Sequence, residues 1–142
     1  MSPLWFVDTN VLLDLLTARQ PFFTDAHALF DAARNRRVRL ATTLTSLATA
    51  YYVGCRTTHN PPQVVRTLHG LVTLLTIAPA DGAIALAAVS VDWPDFEDAL
   101  QYFAARAMPE VTALITRDPR GFRAGTLPIL SPAEAVQQLA GG

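Results

Sequence analysis

Short apolar runs alternate with stretches of helical spacing along the whole chain. Leu4-Trp5-Phe6-Val7 is an uninterrupted apolar run between Pro3 and Asp8, which predicts a buried strand. Asn10 to Thr17 follows as a short helix with Val11, Leu12, Leu15 and Leu16 on its apolar side. Ala28, Leu29 and Ala32 keep helical spacing, so a second helix runs to about Asn35 with Thr24 placed to cap it. Val38 to Thr42 reads as a strand, and Leu44 to about Arg56 as a helix despite its threonines. Pro61-Pro62 opens another helix ending near Val72, since proline fits the first turn. Leu74 to Ile77 is a third strand, Asp81 starts a small-residue helix through Val89, and Pro94 to Ala107 is the next helix. Thr112–Thr116 and Leu127–Leu130 are strands, and Ser131-Pro132-Ala133-Glu134 spells the capping box of a last helix. Apolar strands alternating with helices predict an α/β fold: a three-layer sandwich with a short parallel sheet flanked by helices, one domain over residues 1–142.

In such a sheet, ligands bind beyond the carboxyl ends of the strands. Asp8 directly follows the first strand, and Asp118 follows Thr112–Thr116 after Arg117, so both belong to that rim. Asp98 sits in the first turn of the helix before that strand, with Asp95 three residues earlier and Glu97 adjacent. Helical spacing puts Asp95 and Asp98 on one side and turns Glu97 elsewhere. Whether Asp98 reaches the rim depends on which way its helix points. Crowded carboxylates repel unless a cation or protons intervene. Oxygen ligands alone select hard cations such as Mg²⁺ or Mn²⁺, and a metal so held activates water for phosphodiester cleavage. Each acid also has a plainer reading. Asp8 can cap the short helix, Asp95 after Pro94 is a helix-start signature, Asp98 gains from the helix dipole, and Asp118-Pro119 opens a turn.

Composition narrows the field. Of 142 residues, 51% are apolar and 16% charged, the opposite of a disordered chain. Cys55 is the one cysteine, which excludes a disulfide framework and a Cys-rich zinc site and fits a reducing compartment. A net charge of −1 argues against clinging to nucleic acid by bulk charge. No signal peptide or membrane span is expected, because Asp8 interrupts an N-terminus without a basic region and the uncharged stretch Leu40–Cys55 is short and rich in Thr. The expectation is a soluble, cytoplasmic protein.

Phe6-Val7-Asp8-Thr9-Asn10-Val11-Leu12-Leu13-Asp14 resembles the opening of a PIN domain, the fold of the VapC-type toxins of bacterial toxin–antitoxin pairs. Asp95-Phe96-Glu97-Asp98-Ala99-Leu100-Gln101 with Ala104-Ala105 resembles the central motif of that family. Ile115-Thr116-Arg117-Asp118 through Phe122, then Pro128 to Glu134, resembles its closing segment. The resemblance spans essentially the whole chain. It implies a PIN-like sandwich and a metal-dependent endoribonuclease that cleaves RNA by water attack at one or two Mg²⁺ or Mn²⁺ ions. Asp8, Asp98 and Asp118 match the family's metal-binding and catalytic acids. Asn10 and Thr116 match supporting polar positions, and Asp14 matches a frequent acid that reads as structural. Many members carry a Glu about where Thr49 stands, and this helix has no acid from Leu44 to Cys55; a branch with a Tyr-Tyr pair, here Tyr51-Tyr52, lacks it too. Asp95 or Glu97 is the candidate substitute. Gly121 stands where that branch often has Asp, and Asp118 where it often has Asn, as though the acid had moved within the loop.

Arg117, Arg120 and Arg123 follow the strand that leads to Asp118 and are the expected RNA phosphate contacts. The denser run Arg34, Arg36, Arg37 and Arg39 precedes the second strand, at the opposite rim, and reads as a solvated helix end. The apolar helices Leu44–Val53 and Val64–Leu75 offer more apolar surface than so small a domain hides, which with the resemblance implies a homodimer and a small antitoxin partner. Two other functions compete. A degenerate PIN module that binds RNA or protein without cutting has the missing Glu in its favour. An aspartyl-phosphate phosphotransferase would need a second acid two residues after Asp8, or a neighbouring acid pair plus a Lys, but position 10 is Asn and the chain has no Lys.

Overall fold

The computed structural model describes residues 2–141. Their elements run β1 (Leu4–Val7), α1 (Thr9–Leu16), α2 (Phe23–Arg34), β2 (Arg39–Thr42), α3 (Leu44–Thr58), α4 (Pro61–Leu74), β3 (Leu75–Ile77), α5 (Gly82–Ser90), α6 (Phe96–Arg106), β4 (Val111–Ile115), a 3₁₀ turn (Pro119–Phe122), β5 (Ile129–Leu130) and α7 (Pro132–Ala140). The strands form one parallel sheet in the order β3-β2-β1-β4-β5.

Strand alternation divides the core into two layers. Trp5, Val7, Leu40, Ala113 and Ile115 face a cluster built from Val11, Leu12, Leu29, Phe30, Val64, Leu71 and Ala135 of the helices on one side. Leu4, Phe6, Ala41 and Leu114 face Tyr102, Ala104 and Ala105 of α6, together with Phe122. Phe6, Val7 and Leu40 are fully buried. Each such side chain contributes roughly 1.5–3 kcal/mol by leaving water. Burial on both faces is why the strands read as continuous apolar runs.

The chain builds β1, β2 and β3 outward in one direction and then places β4 on the other side of β1. The connections therefore diverge at β1 and β4, and a crevice opens beyond their carboxyl ends. The backbone is tied there: the Asp8 amide donates to the Ile115 carbonyl at 2.9 Å, and the Thr116 amide to the Leu130 carbonyl at 3.0 Å.

Most element boundaries fall within two residues of the sequence reading, with three physical differences. Thr24 does not cap α2. Phe22 holds that position in helical conformation, and the Phe23 amide donates to the Arg19 carbonyl, so the helix grows out of the preceding turn. Helix α6 starts at Phe96 rather than Pro94, because Asp95 is extended and caps it with its side chain. The turn opened by Asp118-Pro119 winds on as a 3₁₀ helix through Phe122, which the turn signal alone does not specify. The capping box of α7 forms as the sequence spells it. Among the described residues no helix is long and apolar enough to cross a membrane.

Candidate active site

Asp8 occupies the N-cap position of α1, yet its side chain makes no capping bond. Both carboxylate oxygens are engaged elsewhere. The Gln101 amide donates to Oδ1 at 2.8 Å and the Thr116 hydroxyl to Oδ2 at 2.7 Å. Asp8 is 5% exposed, and this burial raises its pKa above the ordinary carboxylate range. The bonds from Thr116 and Gln101 oppose that rise, because they favour the ion, and the charge of Glu97 adds to it. The capping reading of Asp8 thus gives way to a carboxylate held by two other elements.

Asp98 lies in the first turn of α6, and its amide donates to the capping carboxylate of Asp95 at 2.9 Å. Its own carboxylate takes no hydrogen bond from the described side chains. Burial, followed by the like charges of Asp8, Asp95, Glu97 and Asp118, pushes its pKa up to about 7. The helix dipole favours a charged Asp98, but burial and four neighbouring acids outweigh it. Helix α6 therefore does point its N-terminus at the rim. Gly121 is part of the same arrangement, since a Cβ there would stand well inside contact distance of Asp98 Oδ2.

Asp118 is exposed, begins the 3₁₀ turn and pairs with Arg120 at 3.3 Å. Its amide donates to the Thr116 hydroxyl at 3.0 Å. That hydroxyl also accepts from the Asn10 amide at 3.4 Å, which leaves Asn10 Oδ1 buried without a partner. Thr116 and Asn10 thus share one hydrogen-bonded network with the Asp8 carboxylate and the Asp118 backbone. Among the described residues no three His, Cys, Asp or Glu side chains stand ready to share one ion. The carboxylates are gathered within electrostatic reach of one another rather than closed into a cage.

Two residues differ from their expected placement. Glu97 does not turn away: the Thr49 hydroxyl donates to its Oε2 at 3.0 Å, and its charge acts on both Asp8 and Asp98. The side chain is long enough to cross from α6 to α3, which the spacing rule for one helix does not consider. Arg117 is committed to the buried Asp14 through two bonds, at 2.5 and 3.1 Å, and its guanidinium stacks 4.0 Å from the Phe22 ring. That pairing gives Arg117 a structural role in place of the free, exposed guanidinium expected of a phosphate contact. Arg120 and Arg123 are exposed beside the site. At the other rim, Arg34 pairs with Asp31 and Arg39 with Glu110.

Gln101 and Ser46 are buried polar residues of this network that the motifs did not single out. The signal was present, because Gln101 lies one turn after Asp98 in an otherwise apolar run, Ala99 to Ala105. A polar side chain on the Asp98 side of α6 must find partners at the sheet end.

These elements define a parallel α/β domain with an acidic crevice at its strand switch. The PIN domain family matches residues 5–120, and the chain belongs to that family. It is similar in fold to a chain in the crystal structure of VapBC2 from Rickettsia felis bound to a DNA fragment from their promoter. The identity is 16%, over 90% of this chain and 98% of that one, with a TM-score of 0.66. A search of the curated proteins finds no match.

Proposed function

We propose that this PIN domain is a metal-dependent endoribonuclease, the toxin of a type II toxin–antitoxin pair, that hydrolyses RNA phosphodiester bonds in the cytoplasm. Asp8, Asp98 and Asp118 are the ligands and catalytic acids, with Mg²⁺ or Mn²⁺ as the cofactor. The observation that carries the reading is the convergence of acidic charge on Asp98, whose carboxyl is about half ionised at neutral pH by itself and would ionise fully beside a cation. The donor set fits such an ion. It is all oxygen, and Mg²⁺ binds through one or two carboxylates while keeping several waters, so a closed cage is not required. The buried Asn10 Oδ1, which has no hydrogen-bond partner, is a further oxygen that would suit a cation or its waters.

A divalent ion supplies a bound water of lowered pKa and neutralises charge developing on the phosphate. The rest of the work falls to the protein. Gln101 and Thr116 hold Asp8 in a fixed orientation, Asp98 approaches across the crevice, and Thr49 restrains Glu97, which adds negative charge where α3 has none. Asp95 serves the site by capping α6. Arg120 and Arg123 are the phosphate contacts of the RNA substrate. Exposed Leu44, Tyr52 and Val53 on α3 and Val65 and Val72 on α4 support an antitoxin partner and a homodimer, and the likeness to VapBC2 supports the antitoxin partner.

The test is incubation of purified protein with mixed RNA and Mn²⁺, with and without EDTA, beside Asp8→Ala. Cleavage lost in both controls supports the reading; cleavage that persists in either removes it. The second reading, a module that binds RNA or protein without cutting, is favoured by the absence among the described residues of a ready three-acid group. RNA retention without cleavage at millimolar Mn²⁺ would select it.

A further inference from the structure

The side chain that joins the three elements around Asp8 is Gln101. It is 1% exposed and lies on the same side of α6 as Asp98, one turn further on. Its carbonyl oxygen accepts from the Thr9 amide at the start of α1, at 3.1 Å, and from the Ser46 hydroxyl on α3, at 3.2 Å. The Ser46 hydroxyl in turn accepts from Thr43 at 2.8 Å. Two donors on one oxygen leave the amide a single orientation: Oε1 toward α1 and α3, NH₂ toward Asp8 at 2.8 Å. Every donor in the chain Thr43, Ser46, Gln101 therefore points toward the same carboxylate. Thr116, the residue after β4, closes on the other oxygen.

We infer that Gln101 is a positioning residue of the acidic site, fixing the Asp8 carboxylate and its relation to Asp98 through an amide whose direction Ser46 and the α1 backbone set. This rests on the nuclease reading. A neutral residue of this kind orders a ligand by hydrogen bonding alone, and removal of such a supporting group costs about 10–100-fold in metal affinity or activity. A group that only filled space would be replaced without that loss by an apolar side chain of equal length.

The experiment uses the full chain and the variants Gln101→Met, Ser46→Ala and the double variant. Thermal denaturation first establishes that each is folded. Mn²⁺ affinity is then read by calorimetry, and single-turnover RNA cleavage is split into its rate at saturation and its half-saturating RNA concentration. The expected result for Gln101→Met is Mn²⁺ binding at least about tenfold weaker, with a saturated rate reduced to match and half-saturation by RNA little changed. Ser46→Ala should weaken Mn²⁺ binding less, and that effect should vanish in the Gln101→Met background, because the hydroxyl acts through the amide. Gln101→Met with wild-type Mn²⁺ affinity and rate would overturn the inference and leave the nuclease reading standing. Additive losses in the double variant would also overturn it. A wild-type protein that neither binds Mn²⁺ nor cuts RNA would defeat the reading itself, and this inference with it.

Discussion

Replacing Asp98 by Asn should make the metal-free protein more stable, because the wild-type carboxylate is held against its own interest. Asn has nearly the same shape, and the Asp98 carboxylate has no hydrogen bond from a described side chain to lose. The Asp98 pKa stands at about 7 against an ordinary 3.8. At about 1.4 kcal/mol per unit, the interval corresponds to about 4 kcal/mol for a fully shielded group. Asp98 is only partly buried, so screening brings the expected gain at pH 8 to roughly 2 kcal/mol. In a domain of this size that is a melting temperature higher by about 4–8 °C. Between pH 4 and 7 the native protein keeps a proton on Asp98 that the unfolded chain has released. Wild-type stability therefore falls as pH rises through that window, and the Asn variant should lack this part of the decline. Asp8 and Asp14, also raised by burial, give a decline that both proteins share, so the difference between the two curves isolates Asp98. Millimolar Mn²⁺ should restore the wild type at pH 8 and leave the variant unmoved. Melting curves from pH 4 to 8, with and without Mn²⁺, provide the assay. A variant less stable than wild type at pH 8, or parallel curves throughout, would refute the reasoning.

Other substitutions test separate parts of the account. Arg117→Ala strips the buried Asp14 of its partner and should cost about 3–5 kcal/mol in urea unfolding, whereas a loss below about 1 kcal/mol would mean the pair is not structural. Gly121→Ala drives a Cβ into the Asp98 carboxylate, so Mn²⁺ affinity measured by calorimetry should fall about tenfold or more in a protein that still folds. Arg120→Ala and Arg123→Ala should each reduce the slope of log affinity against log salt for single-stranded RNA by about 0.7, and Arg36→Ala at the opposite rim should leave it unchanged.

The order and type of the elements were legible because the central strands β1, β2 and β4 are mostly buried and read as apolar runs, and because α3 to α7 open on a side-chain cap or a proline. Asp8 and Asp118 followed from the strand-end rule. The rule placed them at a rim without saying what would orient them. Gln101 and Thr116, which hold Asp8, come from 93 and 108 residues away, and no local pattern encodes that pairing. The commitment of Arg117 was hidden for the same reason, since Asp14 is 103 residues distant. Glu97 was misjudged because helical spacing orients side chains around their own axis and ignores a neighbour such as Thr49 on α3. Thr24 shows the limit of residue preference, because a preceding turn already satisfied the amides a cap would serve.

The most direct measurement is proton release on Mn²⁺ binding, followed by calorimetry in buffers of different ionisation enthalpy. With Asp98 half-protonated near pH 7, binding there should release about half a proton per ion, fading toward zero at pH 9 and absent in Asp98→Asn. No binding at millimolar Mn²⁺, or binding at pH 7 with no proton released, would contradict the claim that a cation is what lets these acids share one rim.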